Sequence, residues 1–490
     1  MVPDSVGIGQ TKETMRMGRN CGFSGPRGGL LASVAMTLVL AACAEIGQPA
    51  PQTGVAVGHG VETRVERQAR ITYKEPGGDP SFGGFVVADE PSAVLIAQQV
   101  LDQGGNAADA AAALYFALSV TYPAAAGLGG GGICLVRDAG ERTVESIAFL
   151  ARSPRGGGTV AIPGNVRGFA LLQSRHGNQP WSVIVGPAER LAGTGFPLSR
   201  ASARRLADAA TSVQGAPAFA GADGEPLREL ERVTQHELAA TLTMIRSRGV
   251  TGFYAGETAR ALVAGSREAG GTLSLDDLID DRPVAAPAQV LPSSGGVVAA
   301  PSEALGAGVF AAALWRDIEK ASPAELAQAA RRTAAALGAE NAARDFGSTA
   351  FATADGRGGA VACAVTMSGP FGTGRAAPGT GVVFAPNAQQ SENGIASAFL
   401  MPVIVTSNSG TQIFFSGAGA GEPKGAASIL SAARLALAGT VADALAASPA
   451  DAHSPAHAIS CPIGNVTRAC SFAIGPGSDG MGAVSARSGS

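Results

Sequence analysis

Charge of one sign never accumulates in this chain. Its 490 residues carry 36 Lys and Arg against 39 Asp and Glu, a formal net charge of -3, with no long acidic or basic run. A nucleic-acid partner, which calls for a basic stripe or patch, is argued against on that ground. The familiar catalytic signatures are missing as well. There is no Gly-Lys-Ser/Thr phosphate loop, no HExxH, no CxxC and no G-x-S-x-G. Those absences leave no motif for P-loop chemistry, a zincin metal site, a dithiol or zinc ribbon, or the α/β-hydrolase triad. The histidines, His59, His176, His236, His453 and His457, are scattered, and Pro455 inside "HSPAH" spoils the one close pair. No metal and no cofactor is expected. Aromatics make up only 5%, whereas glycine reaches 68 residues, so many tight turns and close backbone approaches are expected.

What is present begins with an export signal. Arg19 and Arg27 precede the apolar run "LLASVAMTLVLAAC", too short to span a bilayer. "LAAC" fits a bacterial lipoprotein signal, in which Cys43 is lipidated and becomes the new N-terminus; the late basic region makes Met15 or Met17 a candidate start. Residues 1–42 are thus expected to be a signal peptide and 43–80 a Pro/Gly-rich tether. The expected location is the periplasm, lipid-anchored to a bacterial membrane, with the outer membrane preferred because Ala44 offers no inner-membrane aspartate signal. In that oxidising setting a disulfide between Cys461 and Cys470, flanking "CPIGNVTRAC", is expected. Cys134 and Cys363 lie in apolar strand-like runs and read as inert core residues.

The rest of the chain, with 46% hydrophobic residues overall, can build a sizeable core. "FVVA" reads as a strand, Pro91 to Gln103 as a helix ended by Gly104-Gly105, and Asn106 as the cap of a helix over Ala107 to Val120. Gly127 to Gly132 follow a helix and feed a strand, the reverse of a dinucleotide loop. Loop-helix units follow, then a strand with a "PSSGG" turn over 283–300 and an Ala-rich helix over 323–344. After Gly347 the pattern turns to strands, and a helix, "GAASILSAARLALAG", closes the chain. Helices first, then strands with few helices, point to an α+β sheet covered by helices. The acidic pairs Asp276-Asp277 and Asp280-Asp281 read as solvated surface.

The stretch "DFGSTAFATADGRGGAVACAVTMSGPFGTGR", Asp345 to Arg375, sets Ser348, Thr349 and Thr366 among glycines. A hydroxyl is a weak nucleophile without a base beside it. Self-cleavage supplies one, because the freed α-amine, with an unperturbed pKa of about 8, takes that role. The requirement is a small residue, then Ser or Thr, then a rigid strand, and Gly347-Ser348 followed by "TAFATAD" meets it.

Several stretches in order extend this reading: "VADEPSAVLIAQQVLDQGGNAADAAAA", "GLGGGGICLVRD", "VAIPGNVRG", "QPWSVIVGPAERLAGTGFPLS", "FYAGETARALV", "LPSSGG", the nucleophile stretch and "PGTGVV". From about residue 83 to 482 the chain resembles the γ-glutamyltransferases, members of the N-terminal nucleophile hydrolases. The resemblance implies a four-layer αββα sandwich in the α+β class. It implies a precursor cut at Gly347–Ser348 into a large part (81–347) and a small part (348–490) of one domain, which stay together. Ser348 then carries the nucleophile where the family has Thr, in a pair with Thr349, and Thr366 matches the threonine that hydrogen-bonds it. The oxyanion pair maps to Lys424-Gly425. The substrate positions are altered: Leu150 replaces an Arg that grips the α-carboxylate, Gln390 an Asp that grips the α-amine, Ala398-Phe399 a Ser-Ser pair, and Ser368 an Asn. Arg152 or Arg155 are the candidates to replace the missing Arg. The expected partners are a small γ-glutamyl or related amide substrate, the chain's own second fragment, and a membrane through the lipid anchor.

Two functions stay open. One is a self-processing amidohydrolase or acyltransferase. The other is a non-catalytic periplasmic lipoprotein using the same fold as a binding or structural module.

Overall fold

Two antiparallel sheets stacked face to face carry the molecule. The computed structural model describes residues 82–209, 216–339, 345–387 and 396–486. The expected signal peptide, the tether, Cys43 and Gln390 lie outside the described residues. The strands of the two large sheets are β1 (Phe82–Ala88), β2 (Gly131–Arg137), β3 (Glu145–Phe149), β4 (Val284–Pro287), β5 (Gln289–Leu291), β6 (Val297–Ala300), β7 (Ser348–Asp355), β8 (Ala360–Thr366), β9 (Met401–Thr406), β10 (Ile413–Gly419), β11 (Ala456–Ser460), β12 (Ser471–Ile474) and β13 (Met481–Ala486). The first sheet has seven strands in the order β13-β1-β7-β8-β2-β3-β4, and the second six, β12-β11-β10-β9-β6-β5.

Three apolar layers follow from strand alternation. On β7, Ala350, Ala352 and Ala354 face the second sheet, where they meet Ile404, Ala418 and Ile459. Phe351, of opposite parity, faces the helices α1 (Pro91–Asp102), α2 (Ala107–Thr121) and α3 (Asn165–His176). Beyond the second sheet lie α5 (Gly306–Asp317), α6 (Leu326–Ala336) and α7 (Pro423–Arg434), with α4 (Arg200–Asp208) in the first helical layer. The result is the four-layer αββα sandwich of the α+β class.

Small residues make the close stacking possible. Every residue of α2, "AADAAAALYFALSVT", is buried, as an all-round apolar helix must be. Asn106 and Asp109 close a reciprocal capping box at its start. Tyr115 of α2 stacks on Phe169 with ring centroids 3.9 Å apart, and Phe169 in turn meets Phe351 of β7. Truncating a buried aromatic such as Phe351 costs about 3–5 kcal/mol, so this stack ties the strand that starts at Ser348 to the helical layer.

Some expectations are corrected. Residues 283–300 form three strands divided between the two sheets, not one strand with a turn. The helix over 326–336 is shorter than the alanine pattern suggests, with Gly338 in a left-handed conformation just past its end. "GVVFAP" contributes only a two-residue strand, Val382–Val383. Nor does a helix close the chain, since β11, β12 and β13 follow α7 and β13 returns to pair with β1. Cys134 and Cys363 are not inert thiols. They face each other on β2 and β8 and are joined by a disulfide, the same state the structure gives Cys461 and Cys470.

Candidate active site

Ser348 opens β7 and Thr366 ends β8, and the ladder places them directly opposite. The register is set at the far end of this hairpin. Asp355 Oδ1 accepts the N–H groups of Arg357 and Gly359 and so closes the "DGRGG" turn, while its Oδ2 accepts the N–H of Ala107 at the start of α2. Thr353 donates to the Ala107 carbonyl beside it. A slip of one residue would break these bonds and turn every side chain of the strand to the wrong face.

The Ser348 hydroxyl donates to Thr366 Oγ1 at 2.9 Å. Thr366 in turn donates to the Phe346 carbonyl at 2.9 Å and accepts the Ser368 N–H at 2.9 Å. Ser348 and Thr366 are 1% and 4% exposed, so these bonds are made without competition from water. The carbonyl ahead of Ser348, that of Gly347, accepts the Met367 N–H at 2.8 Å. A donor therefore already points at the oxygen that would become negative if Ser348 attacked that carbonyl. Gly347 sits at φ +55, and a Cβ there would lie 2.1 Å from the Gly369 carbonyl oxygen, so the position admits only glycine without movement.

Thr349 points the other way. Its hydroxyl donates to Asp89 Oδ2 at 2.6 Å, and Asp89 Oδ1 is bonded to His457 Nε2 at 2.8 Å and to Ser478 at 2.9 Å. Burial pushes the Asp89 carboxyl up, but His457, Thr349 and Ser478 together hold it below the usual range.

The other expected residues are placed as follows. Lys424 lies in the first turn of α7, with its ammonium 2.5 Å from Asp451 and 3.4 Å from Glu422. Burial pulls the ammonium down, but these two carboxylates raise it overall. The Gly425 N–H is bonded to the Glu422 carbonyl, so an oxyanion role for it requires that turn to open. Phe399 is buried, with its ring 5.0 Å from that of Phe310 and 5.9 Å from that of Phe346, which places Ala398-Phe399 beside the segment ahead of Ser348. Ser368 holds a left-handed φ of 59° next to Thr366. Leu150 follows β3 and packs on the apolar layer between the sheets. Arg152 is paired with Asp281 at 2.9 Å and Arg155 with Asp280. Asp276 and Asp280 are exposed, as expected of solvated surface, but Asp277 is buried and bonded to Ser274, and Asp281 is held by Arg152, so that reading is corrected for these two. A cavity of about 440 Å³ walled by Phe219, Gln235, His236, Leu238 and Val383 includes none of the expected site residues.

One cluster escaped the sequence reading. Arg205 of α4, 2% exposed, makes a bidentate pair with Asp345, at 2.8 and 3.0 Å. His453 Nδ1 lies 3.1 Å from the same carboxylate and 2.6 Å from the guanidinium. Burial raises the Asp345 carboxyl, but His453 and Arg205 override it and hold the group far below the usual carboxylate range. Asp345 Oδ1 also accepts the Gly347 N–H at 2.8 Å. The only sequence signal was the position of Asp345, three residues ahead of Ser348.

Comparison with known proteins covers part of this frame. The family described as gamma-glutamyltranspeptidase matches residues 93–316, a stretch that ends before Ser348. Scoloptoxin SSD14 from Scolopendra dehaani is 31% identical over 253 residues, 46% of this chain and 44% of the relative. The glutathione hydrolase proenzyme of Bacillus subtilis (strain 168) is 31% identical over 224 residues, 41% of this chain and 38% of the relative. The chain thus spans less than half the length of these relatives. In fold, a cephalosporin acylase from Bacillus halodurans superposes with a TM-score of 0.66 at 20% identity, over 84% of this chain and 98% of that one. Over residues 93–316 the chain is thus similar in sequence to the gamma-glutamyltranspeptidases, and over most of its length it shares the fold of that cephalosporin acylase.

Proposed function

We propose that the chain is a self-cleaving amidohydrolase or acyltransferase with Ser348 as its nucleophile, acting on γ-glutamyl compounds of the glutathione kind or on a related amide. The observation that carries this reading is the junction itself: Ser348 bonded to Thr366, and the Gly347 carbonyl held by the Met367 N–H. In the first reaction Ser348 Oγ adds to the Gly347 carbonyl carbon while Thr366 accepts its hydrogen bond. The Gly347–Ser348 C–N bond breaks, the proton goes to the departing nitrogen, and an ester links Gly347 to Ser348 Oγ. Water hydrolyses the ester, leaving a Gly347 carboxylate and a free Ser348 α-amine.

That amine is the base of the second reaction. It takes the Oγ proton as Ser348 attacks a substrate amide, then passes it to the leaving amine. The acyl-enzyme goes to water or to an acceptor amine. The Met367 N–H is the donor on hand for the oxyanion, and Lys424-Gly425 join it only if Gly425 releases Glu422. Relatives named glutathione hydrolase support the γ-glutamyl choice.

Intact mass of the purified protein, beside Ser348→Ala, tests the proposal. Two fragments divided at Gly347–Ser348 in the wild type and one uncut chain in the variant are expected. A single chain in both sinks the mechanism. It favours instead a non-catalytic binding module, the reading to which the uncharged Leu150 and the packed Phe399 lend support. The lipid anchor at Cys43 and the periplasmic location belong to the same proposal. Membrane fractionation of Cys43→Ser should find it released, and retention of the variant refutes the anchor.

A further inference from the structure

The segment ahead of Ser348 does more than connect. Its Asp345 carboxylate engages both Nη groups of a buried guanidinium, and Arg205 Nε is buried without a hydrogen-bond partner. The space beside Arg205, walled by Asp89, Tyr122, Ala201 and Ser478, amounts to about 10 Å³. A second anion cannot enter while Asp345 is there.

Catalysis by Ser348 requires this segment to leave. Any substrate carbonyl must take the place of the Gly347 carbonyl, because that is the carbon Ser348 reaches. Asp345 is bonded to the Gly347 N–H at 2.8 Å, so it moves with Gly347. The backbone N and C of one residue are about 2.5 Å apart. The Asp345 oxygen therefore sits within about 5 Å of the attacked carbon, a span of about two or three methylene groups. When the segment leaves, a buried guanidinium is left facing that carbon with its fork empty, and a buried cation demands a new anion.

We propose that Arg205 is the carboxylate-binding site for the substrate's acyl group, held closed in the precursor by Asp345, and that it selects short acyl chains ending in a carboxylate. This rests on the proposed cleavage at Ser348. The ligand class is an ω-carboxyacyl amide with a succinyl- to glutaryl-length chain, of which the γ-glutamyl group is the member bearing an additional amine. The site stands where sequence comparison would not seek it. It replaces the charge missing at Leu150, and neither Arg152 nor Arg155 supplies that charge, since Arg152 is held by the buried Asp281 carboxylate and Arg155 lies on the exposed surface beside Asp280. His453 flanks the fork as a second donor when protonated.

Thermal unfolding with added glutarate, and with pentanoate as its singly charged control, tests the site. Four proteins are compared: the cleaved wild type, uncut Ser348→Ala, uncut Ser348→Ala/Asp345→Ala, and cleaved Arg205→Lys. Glutarate should raise the melting temperature of the cleaved wild type more than pentanoate does. It should leave uncut Ser348→Ala unmoved, because Asp345 occupies the fork. In the uncut Asp345→Ala double variant, where Gly347 still fills the place of the substrate carbonyl, the vacated carboxylate position should take acetate, and uncut Ser348→Ala should not. In Arg205→Lys, which keeps the charge but loses the fork, its dissociation constant should rise by about tenfold or more. Equal shifts by the two acids, or equal binding to cleaved wild type and uncut Ser348→Ala, overturn the site while leaving the cleavage reading intact. A wild type that never cuts overturns both in its own chain, and failure of acetate to bind the double variant then removes the carboxylate site independently.

Discussion

Replacing Thr366 with valine keeps the shape of the side chain and deletes one oxygen. Four contacts go with it: the acceptor for Ser348 Oγ, the acceptor for the Ser368 N–H and the donor to the Phe346 carbonyl, each at 2.9 Å, and a longer one to the Gly347 carbonyl at 3.4 Å. Water has little access, because Ser348 is 1% exposed and Ser368 9%. A buried polar group left bare costs about 1–3 kcal/mol. With three groups affected and some relaxation, a loss of about 3–5 kcal/mol follows. The chemical effect is separate. Ser348 loses the group that orients its proton away from the attacking lone pair, and loss of such a proton partner slows reaction by roughly 10²- to 10⁴-fold. Freshly purified Thr366→Val should therefore unfold at lower urea and split into its two fragments at least about a hundredfold more slowly. The assay is intact mass over time, with urea denaturation on the same sample. Thr366→Ser restores the oxygen and should recover most of the rate. Cleavage of the folded valine variant at the wild-type rate would refute the assignment of Thr366 as the partner of Ser348.

Gly347→Ala places a Cβ 2.1 Å from the Gly369 carbonyl at φ +55. The left-handed conformation alone costs about 1–2 kcal/mol, so the variant should be less stable and cut slowly or not at all; a wild-type urea midpoint with normal cutting contradicts the geometry. His176 lies between Asp138 at 2.8 Å and Glu145 at 2.9 Å, and although burial pulls its pKa down, the two carboxylates raise it overall. A raised folded-state pKa contributes stability that is full below the unfolded value of about 6.5 and lost as pH rises through the folded value. The urea midpoint of the wild type should fall from pH 6.5 upward by more than that of His176→Gln, and parallel pH profiles would show that the imidazolium contributes nothing.

The architecture was legible where one segment determines its own structure. The Asn106 cap, the alanine-rich α2 and the alternation of β7 and β8 are local patterns, and each forms as the residues dictate. What the sequence hid was contact over distance. Arg205 and Asp345 are separated by 140 positions, and Asp89 and His457 by 368. No periodicity links such pairs, since only the stacking of the sheets and α4 brings them together. The Cys134–Cys363 bond hid for a related reason. Each cysteine sits in an apolar run that reads as core, and core it is. Only the register between β2 and β8 reveals that the two are opposite. The segment over 283–300 misled because β4 joins the first sheet while β5 and β6, paired across the "PSSGG" turn, join the second, a division that depends on the stacking and not on local pattern.

The choice between Ser348 and Thr349 as first residue of a cleaved fragment follows from parity rather than from chemistry, since both carry hydroxyls. Successive side chains on a strand point to opposite faces. Ser348 shares its parity with Ala350, Ala352 and Ala354 and lies across from Thr366. Thr349 shares its parity with Phe351, is fully buried, and donates to Asp89 at 2.6 Å. A cut one residue later would free an amine whose own hydroxyl lies on the opposite side of the strand from Thr366, bonded to a carboxylate that His457 and Ser478 also hold. Freeing that hydroxyl would leave Asp89 with a lost donor in a buried site, at a cost of about 1–3 kcal/mol. Shifting the strand to bring it round would break the Asp355 turn at the other end. In the proposed reaction the serine is therefore a change of nucleophile at a fixed position. The methyl it lacks is the one that would narrow its rotamers, and the hydrogen bond to Thr366 supplies that orientation instead.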